Sequence, residues 1–188
     1  MAQQHGTRRT RADAAAEPPD AASGWRVSLE AGHRGRLTMR AVVLPAALVP
    51  PARVVVRLDP APTDPRPGAP FLAHKTTWRA PYARARERAG VTGRDEVLLW
   101  DPEGYILDGS YTTVAVAPYG AADGAAAPWV TPDRACLPGL ERAAQLRRGS
   151  LVLGRIHRSQ LREGMVIRLM NSVRGVFEGT LQFSSDAC

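Results

Sequence analysis

The chain has one lysine, Lys75, in the segment HKTT (74–77), and every other one of its 25 Lys and Arg residues is an arginine. The two residue types differ in reactivity, because a lysine amine can lose its proton and condense with a carbonyl group, whereas a guanidinium stays protonated. A lone lysine can equally be an ordinary surface charge. Lys75 is therefore a candidate reactive amine whose role depends on the residues around it.

Two further features could work with such an amine. Asp108 lies 33 residues after Lys75, at the predicted start of a strand, and the turns LPGL (137–140) and NSVRG (171–175) offer backbone N–H groups to a phosphate. An amine, a carboxylate and phosphate-binding turns are what pyridoxal 5'-phosphate requires. Taken singly, Asp-Gly is also a common turn pair and LPGL an ordinary helix start, so the combination stays a hypothesis at this point.

Composition narrows the classes of function. The net charge of +7 would suit nucleic acid, but the arginines are spread along the chain. The nearest patch, Arg155, Arg158 and Arg162 on one possible helical face, has no aromatic platform or zinc spacing beside it, so no nucleic-acid partner is expected. Two cysteines give no disulfide framework. With no long apolar run and no secretory leader, we expect no membrane partner and a cytoplasmic location.

The elements that must position these residues mix strands and helices without regular alternation, which predicts an α+β fold. Strands are predicted at 35–45, 52–60, 97–100, 111–116, 128–132 and 165–171. One helix is predicted from a Thr76 or Thr77 cap to Gly90, and another from Pro138 to Gly149. The predicted domain plan is a disordered tail (1–24), a remnant of an N-terminal domain with its linker (25–70), a C-terminal cofactor-binding domain (71–180) and a tail (181–188).

Five segments together resemble a known family. HKTTWRAPY, DEVLLWDPEGYILDGSYTTVAV, PWVTP, LPGLERAAQL and NSVRGV occur in the order and at about the intervals of the class IV aminotransferases, the fold-type IV pyridoxal-phosphate enzymes. The resemblance runs from residue 53 to about 178 and is nearest to the 4-amino-4-deoxychorismate lyase-like branch. It implies a cofactor at the bottom of a cleft between a small N-terminal and a larger C-terminal domain, usually in a homodimer.

The resemblance also implies roles for particular residues. It implies that Lys75 is the Schiff-base lysine and proton carrier, and that Asp108 stands where the family has a glutamate that contacts the pyridine nitrogen. Two pairs match the phosphate-binding turns: Leu140 with Glu141, and Ser172 with Val173. Arg174 and Tyr82 are weaker candidates for substrate contact, since Arg174 could be solvated and Tyr82 simply packed in its helix.

This sequence departs from the family pattern in three places. Asp108 is one methylene shorter than the usual glutamate, and Thr113 stands where an asparagine is often found. Only 74 residues precede Lys75, and none of them resembles the arginine-bearing motif of the family's small domain. We therefore expect the N-terminal half to be truncated or replaced.

Three functions remain open. The first is a lyase that converts 4-amino-4-deoxychorismate to 4-aminobenzoate and pyruvate, a step in folate synthesis. The second is an aminotransferase that acts on an amino acid and a 2-oxo acid. The third is an inactive homologue, or a chain that needs a second chain to supply the small domain. The first two imply a small amino substrate.

Overall fold

The first two strands of the chain form an antiparallel ribbon. β1 (Gly24–Ala31) pairs with β2 (Leu37–Leu44) in full register, and residues 33–35 form a short 3-10 turn between them. Alternation of side chains puts apolar residues on one face, where Trp25 opposes Val43 and Leu29 opposes Met39. The ribbon belongs to the first of two compact units, Met1–Leu48 and Val49–Cys188.

The structure is a computed structural model that describes residues 24–44, 54–66, 72–118 and 127–183. In the second unit, eight strands form one mixed sheet in the order β5-β4-β3-β10-β9-β6-β7-β8. Their bounds are β3 (Val55–Leu58), β4 (Glu96–Trp100), β5 (Ile106–Gly109), β6 (Thr113–Val116), β7 (Trp129–Pro132), β8 (Leu151–Gly154), β9 (Val166–Asn171) and β10 (Gly175–Gln182). Parallel pairing joins β3 to β4 and β10, and β7 to β8, while the other neighbours are antiparallel.

The sheet curls until its two edges approach each other. The Ile106 N–H on β5 donates a 2.8 Å hydrogen bond to the Ile156 carbonyl, and Tyr105 forms a bridge with His157 just after β8. The buried residues of one core cluster come from six of the eight strands and from segments beside the strands: Val54, Val56, Leu98, Trp100, Ile106, Val114, Val116, Ile156, Leu161, Ile167, Leu169, Phe177 and Leu181. Curling thus gives the sheet a single apolar interior.

A second core lies between the sheet and the helix α1 (Ala80–Arg88). Its buried members are Leu72, Tyr82, Ala85, Ala89, Val91, Val97, Leu99 and Leu107. Removing a fully buried leucine such as Leu99 from this kind of core costs about 2–5 kcal/mol. The helix α2 (Leu140–Arg147) contacts β8 and β9 instead. The two helices therefore contact different strands of the sheet.

The α+β class is confirmed, but the start of each helix differs from the prediction. Arg79 occupies the cap of α1, and neither Thr76 nor Thr77 does, because a helix begun there would place Pro81 in its interior, where its ring clashes with the preceding turn. As it is, Pro81 lies in the first turn, which proline tolerates. Likewise α2 begins at Leu140 rather than at Pro138.

The prediction of two strands between residues 95 and 118 was wrong. Three strands are present, because β5 pairs with β4 whereas β6 leaves that hairpin and pairs with β7 and β9. Asp108 is consequently near the end of β5 and not at the start of a strand. The arginine-bearing segment 155–162 forms no α-helix, since residues 158–160 are a single 3-10 turn. The sequence prediction also missed β1, β8 and β10.

The outermost predicted segments lie almost wholly outside the described residues. Of the tail predicted at 1–24, only Gly24 is described, and it begins β1. Of the tail predicted at 181–188, Leu181 and Gln182 belong to β10, and residues after 183 are outside the described part. None of the helices within the described ranges is long and apolar enough to cross a membrane.

Candidate active site

A buried carboxylate, Glu96, organises the turn that follows Asp108. It accepts hydrogen bonds from the Ser110 N–H at 2.8 Å, the Tyr111 N–H at 3.1 Å and the Thr112 hydroxyl at 2.7 Å. The Ser110 hydroxyl also donates to it. The guanidinium of Arg86 lies 3.9 Å away and supplies the opposite charge. A buried charge with this many donors is well compensated, so the turn 110–112 is held in one conformation.

Asp108 is buried beside that turn. One of its carboxyl oxygens accepts from the Gly109 N–H at 3.1 Å, and the other accepts from the Leu137 N–H at 3.0 Å. Burial raises the pKa of Asp108 to about 8, although these two bonds oppose the change. Its carboxyl group is therefore largely uncharged near neutral pH unless a cation lies next to it.

The bond to Leu137 connects Asp108 to the N terminus of α2. No side chain caps this helix, and its cap residue Gly139 has extended backbone angles. The first N–H groups of the helix, those of Leu140 and Glu141, therefore have no partner within the helix and are available to an anion. The Glu141 carboxylate accepts a 2.7 Å hydrogen bond from the Gln145 side chain. It also places a negative charge in the first turn of the helix.

The second predicted phosphate turn joins β9 to β10. Asn171 accepts hydrogen bonds from the Val173 N–H at 3.0 Å and the Arg174 N–H at 2.9 Å. Its amide group donates a 3.4 Å bond to the Tyr111 carbonyl. The Val173 N–H is thus already bonded within its own turn, while the exposed Ser172 lies at the surface.

Arg79 joins the Lys75 segment to the same region. Its guanidinium donates to the Ser110 carbonyl and lies 4.7 Å from the ring centres of both Tyr82 and Tyr111. Burial raises the pKa of Tyr82, and the charge of Asp108 raises it further. Lys75 itself is exposed. The helix that follows Lys75 is therefore attached to the turn that follows Asp108.

The structure thus links most of the predicted residues and adds some that were missed. The turn 110–112 connects Asp108 to Arg79 on one side and to Asn171 on the other, while Asp108 reaches the Leu140 turn through Leu137. Arg174 is less fixed, with its guanidinium 5.9 Å from the Phe177 ring. The sequence prediction missed Glu96, Arg79 and Asn171. An acid placed just before the apolar run VLLW was a usable signal for Glu96.

These residues fit pyridoxal 5'-phosphate at three points. Lys75 supplies an exposed amine, and the uncapped start of α2 supplies N–H groups for a phosphate. Asp108 accepts two N–H bonds, and since a carboxylate has about four acceptor positions, it keeps capacity for a ring nitrogen. The Val173 N–H fits less well, because Asn171 already accepts its bond.

Comparison with known proteins places the chain in a family. Residues 9–180 match Amino-transferase class IV. The chain is 32% identical over 138 residues to aminodeoxychorismate lyase of Saccharomyces cerevisiae, a match that covers 64% of this chain and 36% of that protein. The chain therefore spans about a third of the length of this relative.

Two solved structures support the same placement. A candidate amino-acid aminotransferase from Mesorhizobium loti has a TM-score of 0.68 and 30% identity, with 84% of this chain and 73% of that chain covered. A fold IV-transaminase from Curtobacterium pusillum has a TM-score of 0.58 and 25% identity, with 87% and 60% covered. The resemblance found in the sequence is confirmed: the chain belongs to the class IV aminotransferase family.

Proposed function

We propose that the protein is a pyridoxal-phosphate-dependent lyase that converts 4-amino-4-deoxychorismate to 4-aminobenzoate and pyruvate. The observation that carries the proposal is the position of Asp108, buried and bonded through Leu137 to the uncapped start of α2. The proposal is supported by a carboxyl group that lies near free helix N–H groups, in a chain whose only lysine is exposed in a segment attached to the same turn. Likeness to an aminodeoxychorismate lyase favours the lyase among the activities of the family.

When bound, pyridoxal 5'-phosphate would supply a carbonyl carbon for the substrate amine and a ring that withdraws electrons from it. Lys75 would hold the group covalently through Nζ, and the same nitrogen, once free, would take the proton from the substrate α-carbon. The N–H groups of Leu140 and Glu141 bind the phosphate. The exposure of Lys75 supports the first role, and the uncapped start of α2 supports the second.

Asp108 orients the ring and sets its charge. Its carboxyl group is buried, so loss of its proton is unfavourable without a cation close by. Asp108 would find that cation in a protonated ring nitrogen, and its carboxylate would in turn keep that nitrogen protonated. The two groups would therefore stabilise each other's charged forms. In this way the shorter Asp108 side chain would take the place of the glutamate that contacts the pyridine nitrogen in the family that the sequence resembles.

An aminotransferase is the second candidate. It is favoured by the similarity to the Mesorhizobium loti structure, of which this chain covers 73%. The same residues would bind the cofactor and move the proton, and the two reactions would differ in whether pyruvate or an amino group is released. The third candidate is an inactive homologue that retains the fold without turnover.

The first experiment is an absorption titration with pyridoxal 5'-phosphate, followed by borohydride reduction and peptide mass mapping. We expect a visible band and a reduced adduct on Lys75. Lys75→Arg is the matched control, because it keeps the charge but cannot condense with a carbonyl. If the wild-type protein at saturating cofactor gives no band and no adduct, the proposed chemistry is wrong and the inactive homologue is favoured.

Two assays then separate the activities. Pyruvate release from 4-amino-4-deoxychorismate supports the lyase, and transfer of an amino group to a 2-oxo acid supports the aminotransferase. We propose a homodimer as the working assembly, or a pairing with a chain that supplies the small domain. Sedimentation of the protein with bound cofactor distinguishes either from a monomer.

A further inference from the structure

Arg79 carries a charge that no acidic side chain balances within the described ranges. Arg79 is in none of the five ion pairs there, which are formed by other arginines, such as Arg88 with Asp59 and Arg86 with Glu96. Among the described residues, the Arg79 side chain donates one hydrogen bond, to the Ser110 carbonyl. A guanidinium has five donors, so most of them remain for a ligand.

The guanidinium of Arg79 is nevertheless held in place. Its central carbon, Cζ, lies 4.7 Å from the ring centres of both Tyr82 and Tyr111. Tyr82 is buried, whereas 58% of the surface of Tyr111 is exposed. Stacking on rings fixes the plane of a guanidinium and leaves its edge free to donate. An edge of this kind matches a carboxylate, which it can bind through two parallel hydrogen bonds.

The location of Arg79 is close to the candidate chemistry. It follows Lys75 by four residues, a stretch of chain that spans at most about 14 Å. Its bond to Ser110 attaches it to the turn that Glu96 holds next to Asp108. By contrast Arg174, the substrate arginine suggested by the sequence, makes one ring contact, at 5.9 Å, among the described residues.

We propose that Arg79, whose guanidinium lies over the rings of Tyr82 and Tyr111, binds a carboxylate group of the small amino substrate. The inference rests on the proposed function, since it gives that site its recognition of an acidic substrate. Arg79 is a substrate-binding residue in this scheme, and its two tyrosines are positioning residues. The class of ligand is a small aromatic or aliphatic carboxylate, and the corresponding amide is a poor ligand.

The test uses the cofactor-free protein and two probes that differ in one group, 4-aminobenzoate and 4-aminobenzamide. Their affinities are measured by calorimetry for the wild type, Arg79→Gln, Arg79→Lys and the control Arg84→Gln, an exposed arginine on the same helix. We expect the wild type and Arg84→Gln to prefer the carboxylate about tenfold, which is typical of one charge-assisted pair. Arg79→Gln loses this preference, and Arg79→Lys keeps part of it.

Three outcomes overturn the proposal. One is a wild type without preference, another is an Arg79→Gln variant that keeps it, and the third is equal weakening of both probes with no recovery in Arg79→Lys. The last outcome would assign Arg79 to holding the Ser110 turn. Labelling of Lys75 by borohydride is measured separately. An adduct on Lys75 without a preference for the carboxylate probe rejects only the role of Arg79. A preference for the carboxylate probe without an adduct on Lys75 rejects only the proposed function.

Discussion

The Thr112 hydroxyl donates a 2.7 Å hydrogen bond to Glu96, and this bond joins the start of β4 to the turn that leads from β5 into β6. Both residues are buried. Two carbonyls of the same turn also accept hydrogen bonds. The Ser110 carbonyl accepts one from Arg79, and the Tyr111 carbonyl accepts one from Asn171. Glu96 is therefore the anchor of the candidate site, although it was not among the residues predicted to bind cofactor or substrate.

Replacing Glu96 by glutamine should destabilise the fold by about 2–4 kcal/mol, because an amide nitrogen would face backbone donors and Arg86 would lose its counter-charge. The measurement is the free energy of unfolding from urea denaturation. Glu87→Gln, on the exposed side of α1, is the matched control and should change it by less than about 0.5 kcal/mol. Equal effects of the two changes would mean that Glu96 is not an anchor.

The raised pKa of Asp108 predicts a particular dependence of stability on pH. The folded protein holds this proton up to about pH 8, while the unfolded chain releases it near its ordinary pKa of 3.8. Between these values the folded state binds more protons, so the contribution of Asp108 to stability is full below pH 4 and is lost as the pH rises towards 8. Asp108→Asn removes this contribution.

Thermal melts of the cofactor-free wild type and Asp108→Asn across this pH range check that prediction. The difference in melting temperature should move in favour of the variant as the pH rises from about 4 to about 8, and should then become constant. Asp133→Asn, at an exposed aspartate, is the matched control for the loss of an aspartate at the surface. A constant difference between wild type and Asp108→Asn would show that the carboxyl group is already ionised at low pH.

The candidate residues came from the sequence mainly through the resemblance to a family. Taken singly, Lys75, Asp108 and the Leu140 turn each had an ordinary structural explanation, and the order of the motifs favoured the chemical one. The bonds that connect them could not be predicted, because Glu96 and Thr112 are 16 residues apart and meet only through the packing of β4 against the following turn. The same contact explains why β5 and β6 separate where the sequence suggested one continuous strand.

The missed strands have a similar cause. β8 is the short segment LVLG, which alone resembles any buried apolar run, and its parallel partner β7 lies beyond the intervening helix α2. β10 contains Gly175 and Gly179, which weaken a strand signal. A Cβ at Gly179 would lie 2.9 Å from the Val54 carbonyl oxygen, so this glycine is required by the close approach of β3. Its role appears only once the two strands are paired.

Gly109 offers a sharper test of the turn after Asp108. A Cβ there would lie 2.6 Å from the Thr112 carbonyl oxygen and 3.1 Å from the Glu96 carboxyl carbon, and backbone atoms cannot move aside cheaply. Gly109→Ala should lower the free energy of unfolding by about 1–3 kcal/mol. Gly139→Ala is the control, since its Cβ would meet Thr113 at an ordinary 3.6 Å. A tolerated Gly109→Ala would mean that the turn relaxes easily.

The last prediction concerns the charge at the start of α2. The Glu141 carboxylate lies in the first turn, where the proposed phosphate would bind, and the repulsion between two such negative charges near a protein surface is on the order of 1 kcal/mol. Glu141→Gln should therefore tighten the binding of pyridoxal 5'-phosphate by about fivefold, and the gain should shrink as salt is added. It should also destabilise the helix slightly, because an acid at this end favours the helix dipole.

Absorption titrations at low and high salt measure this effect, with Glu103→Gln as a control on the turn between β4 and β5. Opposite changes in cofactor affinity and protein stability in Glu141→Gln distinguish a local charge effect from a general change in folding. Weaker cofactor binding in Glu141→Gln at both salt concentrations would contradict the assignment, since it would mean that the carboxylate supports the cofactor instead of repelling its phosphate. The phosphate would then have to be bound elsewhere, for instance at the 171–175 turn after displacement of the Asn171 side chain from Val173.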